Sequence, residues 1–310
     1  MSLPLAELHM HIEGSLEPDQ IFQFAERNGI RLPYADIDEL RGLYEFTDLQ
    51  SFLDLYYANT SVLRTAEDFA DLGRAYFARA KVAGITHAEV FFDPQAHTSR
   101  GVALEAVVEG LADAAASSER EFGVTSGLIA SILRDKPVLH ANKLLEDLLA
   151  MKAPIIGLGL DSAEVGFPPS LFVDVFARAR AEGLHVVAHA GEEGPAEYIW
   201  QALDLLGAER IDHGVRCLED EALVNRLVEE EIPLTVCPFS NVRLKVVDTL
   251  ADHPIRQMIE RGLVVTVNSD DPAYFGGYVD DNFAALTDQL GLTEREREIL
   301  YDNSIRASFS

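Results

Sequence analysis

The sequence predicts an α/β protein, a (β/α)8 barrel of the TIM type with a helical insertion after the first strand. Short apolar segments rich in β-branched residues recur along the 310 residues, and most precede a stretch with helical periodicity. Strands that alternate with helices indicate a parallel sheet, and eight repeats favour a closed barrel over an open sheet. The predicted strands are residues 6–12, 86–92, 125–133, 155–161, 185–190, 210–214, 232–238 and 264–270.

Amphipathic helices are predicted between these strands. In residues 169–183 apolar positions recur every three or four residues, and Gly183 ends the pattern as the residue after a helix C-terminus often does. Residues 218–231 and 252–262 have the same pattern. The insertion, residues 13–85, holds several helices, and we expect it to lie over the barrel mouth.

Composition restricts the class of protein. The chain is 48% hydrophobic and 25% charged, which is typical of a globular protein, and we expect residues 1–310 to form a single domain. It has no run of about 18 apolar residues and no signal-peptide pattern, so we expect a cytoplasmic protein without a membrane partner. The net charge of −27 argues against nucleic acid as a partner. Cys217 and Cys237 are expected to be reduced structural residues, and homo-oligomerisation stays open.

The first predicted strand carries two histidines, His9 and His11, within AELHMHIEG. Residues two apart in a strand project to the same side, so both imidazoles face one way. Taken alone, the pair is either structural or half of a four-coordinate metal site. The other strand ends favour the metal site, because catalytic groups of such barrels stand at the carboxyl ends of the strands.

Polar residues cluster at those ends. The fifth strand ends in His189 with Glu192 close behind, the sixth in His213, and the eighth in Asp270 and Asp271. Three histidines and one carboxylate are ligands that zinc accepts, which predicts one Zn²⁺ per chain on His9, His11, His189 and Asp270. Zinc would lower the pKa of a bound water. His213 is the candidate group to orient that water and accept its proton, and Glu192 is the candidate proton donor.

Five motifs together resemble the adenosine/adenine deaminase family of zinc-dependent aminohydrolases: ELHMHIEGSLEP, VVAHAGEEG, RIDHG, CPFSN and NSDDPAYFG. The resemblance implies hydrolytic removal of the exocyclic amine of a 6-aminopurine and the same four metal ligands. It also implies that Glu192 protonates the ring nitrogen beside the amine-bearing carbon and that His213 accepts the proton of the attacking water. By the same resemblance, Asp271 hydrogen-bonds the imidazole side of the purine.

The substrate within the family is a further question. FFDPQAHTSRG, GLDSAEVGFPPS and SDDPAYFGGYVDDNF resemble the adenine deaminase branch, which implies the conversion of adenine to hypoxanthine and ammonia in purine salvage. Glu164, just past the fourth strand, is the candidate acceptor for the ring N–H that free adenine has and adenosine lacks. Phe52, Tyr56 and Tyr57 of the insertion are expected in the core, with the wall of the purine pocket as the alternative.

Three alternatives stay open at this point. The first is the same reaction on adenosine or an N6-substituted aminopurine. The second is a non-catalytic purine-binding protein on the same fold. The third is a metal-dependent phosphoesterase barrel, which would be expected to carry a basic phosphate pocket.

Overall fold

The computed structural model describes residues 4–309. In this range eight parallel strands form one sheet in sequence order, which is a nearly closed (β/α)8 barrel. The strands are β1 (Leu5–His11), β2 (Ile85–Phe92), β3 (Thr125–Leu133), β4 (Gly157–Asp161), β5 (His185–Ala190), β6 (Arg210–His213), β7 (Pro233–Val236) and β8 (Val264–Val267). The eight predicted strands are confirmed, with bounds within three residues of those observed.

The barrel closes between β1 and β8 through a short seam. The backbone N–H of Leu8 donates to Oδ1 of Asn268 at 2.9 Å. Further along, the N–H of His11 donates to the carbonyl of Asp270 at 3.0 Å, and the N–H of Asp270 donates to the carbonyl of His9 at 3.1 Å. The seam therefore fixes the backbones of three predicted metal ligands relative to one another.

Helices surround the barrel. Within residues 4–309 they are α1 (Pro18–Arg27), α2 (Ile37–Arg41), α3 (Leu49–Asn59), α4 (Ala66–Ala83), α5 (Pro94–Thr98), α6 (Leu104–Phe122), α7 (Val138–Ala150), α8 (Val173–Ala181), α9 (Ala196–Gln201), α10 (Glu221–Glu229), α11 (Pro238–Arg243), α12 (Ile255–Glu260), α13 (Pro272–Phe275), α14 (Val279–Ala285) and α15 (Glu294–Arg306). The predicted helix before β5 is confirmed as α8, and Gly183 follows it with a φ of 83°. None of these helices is long and apolar enough to cross a membrane.

The segment between β1 and β2 has two parts. Helix α4 begins at a capping box, in which Oγ1 of Thr65 accepts the N–H of Asp68 at 3.2 Å and the Asp68 carboxylate accepts the N–H of Thr65 at 2.9 Å. It ends at Gly84, which has a φ of 83°. Helix α4 packs on β2 and α6 as a barrel helix does, whereas α3 lies over the carboxyl ends of the strands.

Three strand ends share one backbone turn. Asp93, Cys237 and Asp271 follow β2, β7 and β8, and each precedes the proline that opens a short helix. Their φ values are −108°, −123° and −114°, because a residue before proline is kept out of the helical region. Both aspartates line the cavity at the barrel mouth. Cys237 and Cys217 are buried and free, as expected.

Candidate active site

A cavity opens at the carboxyl ends of the strands, where barrel enzymes of this type carry their active sites. One side is polar and comes from the strand ends. The other side is mainly apolar and comes from α3, with Leu49, Phe52, Leu53 and Tyr56 among its residues. Phe52 and Tyr56 are thus buried and also line the cavity, so the two alternatives for these aromatic residues are compatible.

The four predicted metal ligands lie together beside this cavity. Ligand atoms of His9, His11, His189 and Asp270 are all within 4.8 Å of one another, and the four residues are buried. Nε2 of His11 is 3.1 Å from Nε2 of His189, and Oδ1 of Asp270 is 3.6 Å from Nε2 of both His9 and His11. Nε2 of His9 has no hydrogen-bond partner among residues 4–309. Converging ring nitrogens, one of them buried without a partner, fit a shared cation.

Two residues that the sequence analysis missed orient these imidazoles. Nδ1 of His9 is 3.0 Å from Oγ1 of Thr235, and that hydroxyl donates to Oδ1 of Asp212 at 2.9 Å. Oδ2 of Asp212 lies 3.6 Å from Nδ1 of His189. Such partners fix the orientation of a ligating ring. Their signal in the sequence was a polar residue inside each of two apolar strands, with Asp212 directly before His213.

The imidazoles are mostly held neutral. Burial lowers the pKa of His11 to about 3 and holds the pKa of His189 well below its ordinary value. Burial also acts to lower the pKa of His9, but the Asp270 carboxylate, the Asp212 carboxylate and the hydrogen bond to Thr235 together raise that pKa. Burial would raise the pKa of Asp270, yet the neighbouring histidines hold it well below its ordinary value. Asp270 as a carboxylate with His11 and His189 as neutral imidazoles is the protonation pattern that a metal needs from its ligands, and a bound cation would favour the neutral form of His9 as well.

Glu192, His213 and Asp271 line the same cavity. Nε2 of His213 lies 3.5 Å from Oε2 of Glu192 and 3.7 Å from Oδ2 of Asp270. Burial, and then the charges of Asp270 and Glu164, raise the pKa of Glu192 well above its ordinary value. A carboxyl group with a raised pKa keeps its proton near neutral pH and can donate it. Burial lowers the pKa of His213 to about 3, so its ring is unprotonated near neutral pH, the form that a proton acceptor needs.

The position of Asp271 requires a glycine at residue 14. A Cβ added to Gly14 would lie 2.6 Å from Cα of Asp271, so only glycine lets the two backbones approach this closely. Burial, and then the charge of Asp270, raise the pKa of Asp271 well above its ordinary value. The structure thus brings Glu192, His213 and Asp271 together with the four candidate ligands.

Glu164 lies behind the cavity wall rather than on it. It is buried, but its oxygens are already used by the loop after β5. Oε1 accepts the N–H of Gly191 at 2.7 Å, and Oε2 accepts the N–H groups of Glu192, Glu193 and Gly194 at 3.1, 2.9 and 2.7 Å. Glu164 is not among the residues that line the cavity. These contacts assign the carboxylate to the loop that carries Glu192, and they leave the predicted contact with the purine without support in the structure.

Comparison with known proteins identifies the family. The family model described as "Adenosine deaminase" matches residues 4–310. The chain belongs to the adenosine deaminase family. It is therefore an aminohydrolase, and the predicted resemblance is confirmed. Family membership does not favour the phosphoesterase alternative.

Relatives in the family resemble the chain over its whole length. An adenine deaminase of Streptomyces coelicolor is 59% identical over 310 residues, which covers 100% of this chain and 91% of the relative. The solved structure of an adenine deaminase from Arthrobacter aurescens is 62% identical, with a TM-score of 0.99 and coverage of 100% and 94%. An amidohydrolase structure from Burkholderia ambifaria with bound Zn is 27% identical, with a TM-score of 0.91 and coverage of 99% and 86%.

Proposed function

We propose that this chain catalyses the hydrolytic deamination of adenine to hypoxanthine and ammonia. The observation that carries the proposal is one cavity that combines a His₃Asp ligand set with a buried acid, a neutral imidazole and a second buried carboxyl group. Its relatives of about this length, at 59% and 62% identity, are named adenine deaminases. We also propose that residues 1–310 are one domain, because the eight strands form a single sheet and the relatives match the chain over its whole length.

The metal in this proposal is one zinc ion per chain. His9, His11, His189 and Asp270 would hold it, and three nitrogen ligands with one oxygen ligand suit zinc. The related Burkholderia ambifaria structure contains Zn. When bound, the ion would make a water molecule more acidic and leave one ligand position for it.

The proton transfers are assigned to this chain's own side chains. Glu192 would donate its proton to the purine ring nitrogen beside the amine-bearing carbon, which makes that carbon a better electrophile. Nε2 of His213 would accept the proton of the attacking water, and it lies 3.5 Å from Oε2 of Glu192. Asp271 would hydrogen-bond the imidazole side of the purine, where burial keeps its carboxyl group protonated and able to donate.

The cell compartment we propose is the cytoplasm. Cys217 and Cys237 are both free and buried, which fits a reducing compartment. The partner we propose is a small purine rather than nucleic acid, because the net charge of −27 repels polyanions.

The test is a comparison of substrates. The zinc-loaded protein is incubated separately with adenine and adenosine, and ammonia release is measured. We expect turnover of adenine with kcat/KM at least about a hundredfold higher than for adenosine. Equal or faster turnover of adenosine would contradict the adenine assignment, and no turnover of either would contradict the reaction.

A further inference from the structure

Two buried carboxyl groups line the cavity but have no part in the chemistry proposed above. Asp93 follows β2 and Asp161 ends β4, and their exposed fractions are 2% and 3%. Oδ1 of Asp93 and both carboxylate oxygens of Asp161 make no hydrogen bond of ordinary geometry among residues 4–309, and the side chains near enough to act on them are each other's carboxyl group, Tyr56 and Ser131. Burying acceptors without donors is costly, so a ligand in the cavity is expected to supply the missing donor.

Asp93 also repeats the local structure of Asp271. Both follow a strand that neighbours β1, both precede the proline of a short helix, and their φ and ψ values are −108°, 78° and −114°, 75°. The turn at β8 thus presents one carboxyl group to the cavity and the turn at β2 presents another. A flat ligand between them would meet a carboxyl group at two separate points of its edge.

The chemistry of adenine leaves one part of its edge unassigned. In the proposed reaction the amine-bearing carbon faces the metal, the adjacent ring nitrogen faces Glu192, and the near side of the imidazole ring faces Asp271. The remaining edge carries an unprotonated nitrogen and the N9–H, which is a donor in free adenine and is replaced by a carbon bond in adenosine. Asp93 and Asp161 are the carboxyl groups of the cavity that remain for this edge.

We propose that the carboxyl pair of Asp93 and Asp161 accepts the N9–H of free adenine and thereby selects the free base over N9-substituted purines. The inference rests on the proposed function. It reassigns to this pair the contact that the sequence analysis gave to Glu164, whose oxygens are held by four backbone N–H groups.

The surroundings hold the pair in place. Oε1 of Glu13 accepts the N–H of Asp93 at 3.1 Å, and Oδ2 of Asp161 lies 3.7 Å from Nδ1 of His11. The hydroxyl of Tyr57 donates to Oγ of Ser162 at 3.1 Å, which joins α3 to the residue after Asp161.

A metal ion is the other candidate occupant of this place, because ligand atoms of His11, Asp93 and Asp161 also lie within 4.8 Å of one another. A second cation there would satisfy the same oxygens. It would give two metal ions per chain, and removal of either aspartate would reduce the count to one. Metal content therefore separates the two explanations.

The experiment compares adenine with 9-methyladenine, which lacks the N9–H, as substrates of the zinc-loaded protein and of Asp93→Asn and Asp161→Asn. Asp54→Asn is the control, because it removes the same charge from an exposed position of α3. Metal content and thermal midpoint are measured for every protein. If one aspartate variant fails to fold, the other gives the same comparison.

We expect the parent to prefer adenine by at least about a hundredfold in kcat/KM. Each aspartate variant should lose about ten- to a hundredfold in kcat/KM for adenine, mainly through KM, with little change for 9-methyladenine. An equal loss on both substrates, or two metal ions in the parent and one in the variants, would overturn the inference while leaving the proposed function intact. A parent that does not deaminate adenine would instead refute the proposed function.

Discussion

Replacing Glu164 with glutamine tests whether this carboxylate holds the loop after β5. The carboxylate accepts four backbone N–H groups, three of them on Oε2. Glutamine keeps one acceptor oxygen and turns an NH₂ group toward the N–H of Gly191, so at least one hydrogen bond becomes a contact between two donors. A hydrogen bond to a charged group contributes roughly 1.5–3 kcal/mol. We therefore expect Glu164→Gln to destabilise the protein by about 2–4 kcal/mol.

The activity should fall as well. Glu192 is one of the four residues whose N–H groups bind Glu164, and a shift of about 1 Å in a catalytic group can lower the rate about a hundredfold. We expect kcat/KM for adenine to fall by about this factor, a thermal midpoint lower by several degrees, and unchanged metal content. Glu197→Gln, on the exposed face of α9, is the matched control. A Glu164→Gln variant with the kcat/KM and midpoint of the parent would refute the loop-holding role.

Three further perturbations follow from the same structure. Glu192→Gln should keep its metal and lose at least about a hundredfold in kcat, because the glutamine cannot donate the proton, and a rate close to that of the parent would remove Glu192 from this role. Gly14→Ala should fold but lose activity, because its Cβ would displace Asp271. The control is Gly42→Ala, which should retain activity because Gly42 has an ordinary helical conformation with a φ of −61°. Steady-state kinetics of both variants check this. The hydrogen bond from Arg256, with those from the hydroxyl and backbone N–H of Thr293, lowers the pKa of Glu296 from 4.5 to about 2, so these contacts stabilise the fold above pH 4.5 and lose their effect as the pH falls toward 2. In denaturant titrations Glu296→Gln should cost about 0.5–1 kcal/mol at pH 7, and a difference that does not shrink below pH 4.5 would contradict the linkage.

Most of the fold could be predicted from local pattern. Buried parallel strands are short apolar runs bounded by turn residues, so all eight were found to within three residues of their bounds. The division of residues 13–85 was not predicted. Helix α4 packs on β2 and α6 while α3 covers the cavity, and both are amphipathic segments whose periodicity does not say what their apolar face will meet.

Some residues of the candidate site could also be predicted from the sequence, and others could not. The strand ends that carry His9, His189 and His213 could be predicted to converge, because parallel strands in a barrel end on one rim. Glu164 could not be placed, since the direction of its carboxylate depends on the N–H groups of a loop 27–30 residues further along the chain. Asp212 is fully buried and reaches the candidate metal ligands through its hydrogen bond from Thr235 and its 3.6 Å approach to His189, which only the packing of β5, β6 and β7 creates.

Backbone conformation gives an independent indication of where function is located. Among residues 4–309, six residues other than glycine have a positive φ. Lys152, Glu231 and Lys245 follow the ends of α7, α10 and α11, where a left-handed residue commonly terminates a helix. Ser162, His213 and Asp270, with φ values of 70°, 62° and 63°, have no helix to end and instead line the cavity.

These three residues carry strain that the barrel itself does not require. Asp93 and Asp271 also follow strands, with φ values of −108° and −114°, so a strand can end at this rim without a left-handed residue. A left-handed residue other than glycine costs roughly 1–2 kcal/mol. At His213 this conformation directs the imidazole toward Oε2 of Glu192. At Asp270 it directs the carboxylate toward Nε2 of His9 and His11. The strain therefore lies at the positions where the proposed chemistry needs an orientation that ordinary strand ends do not provide.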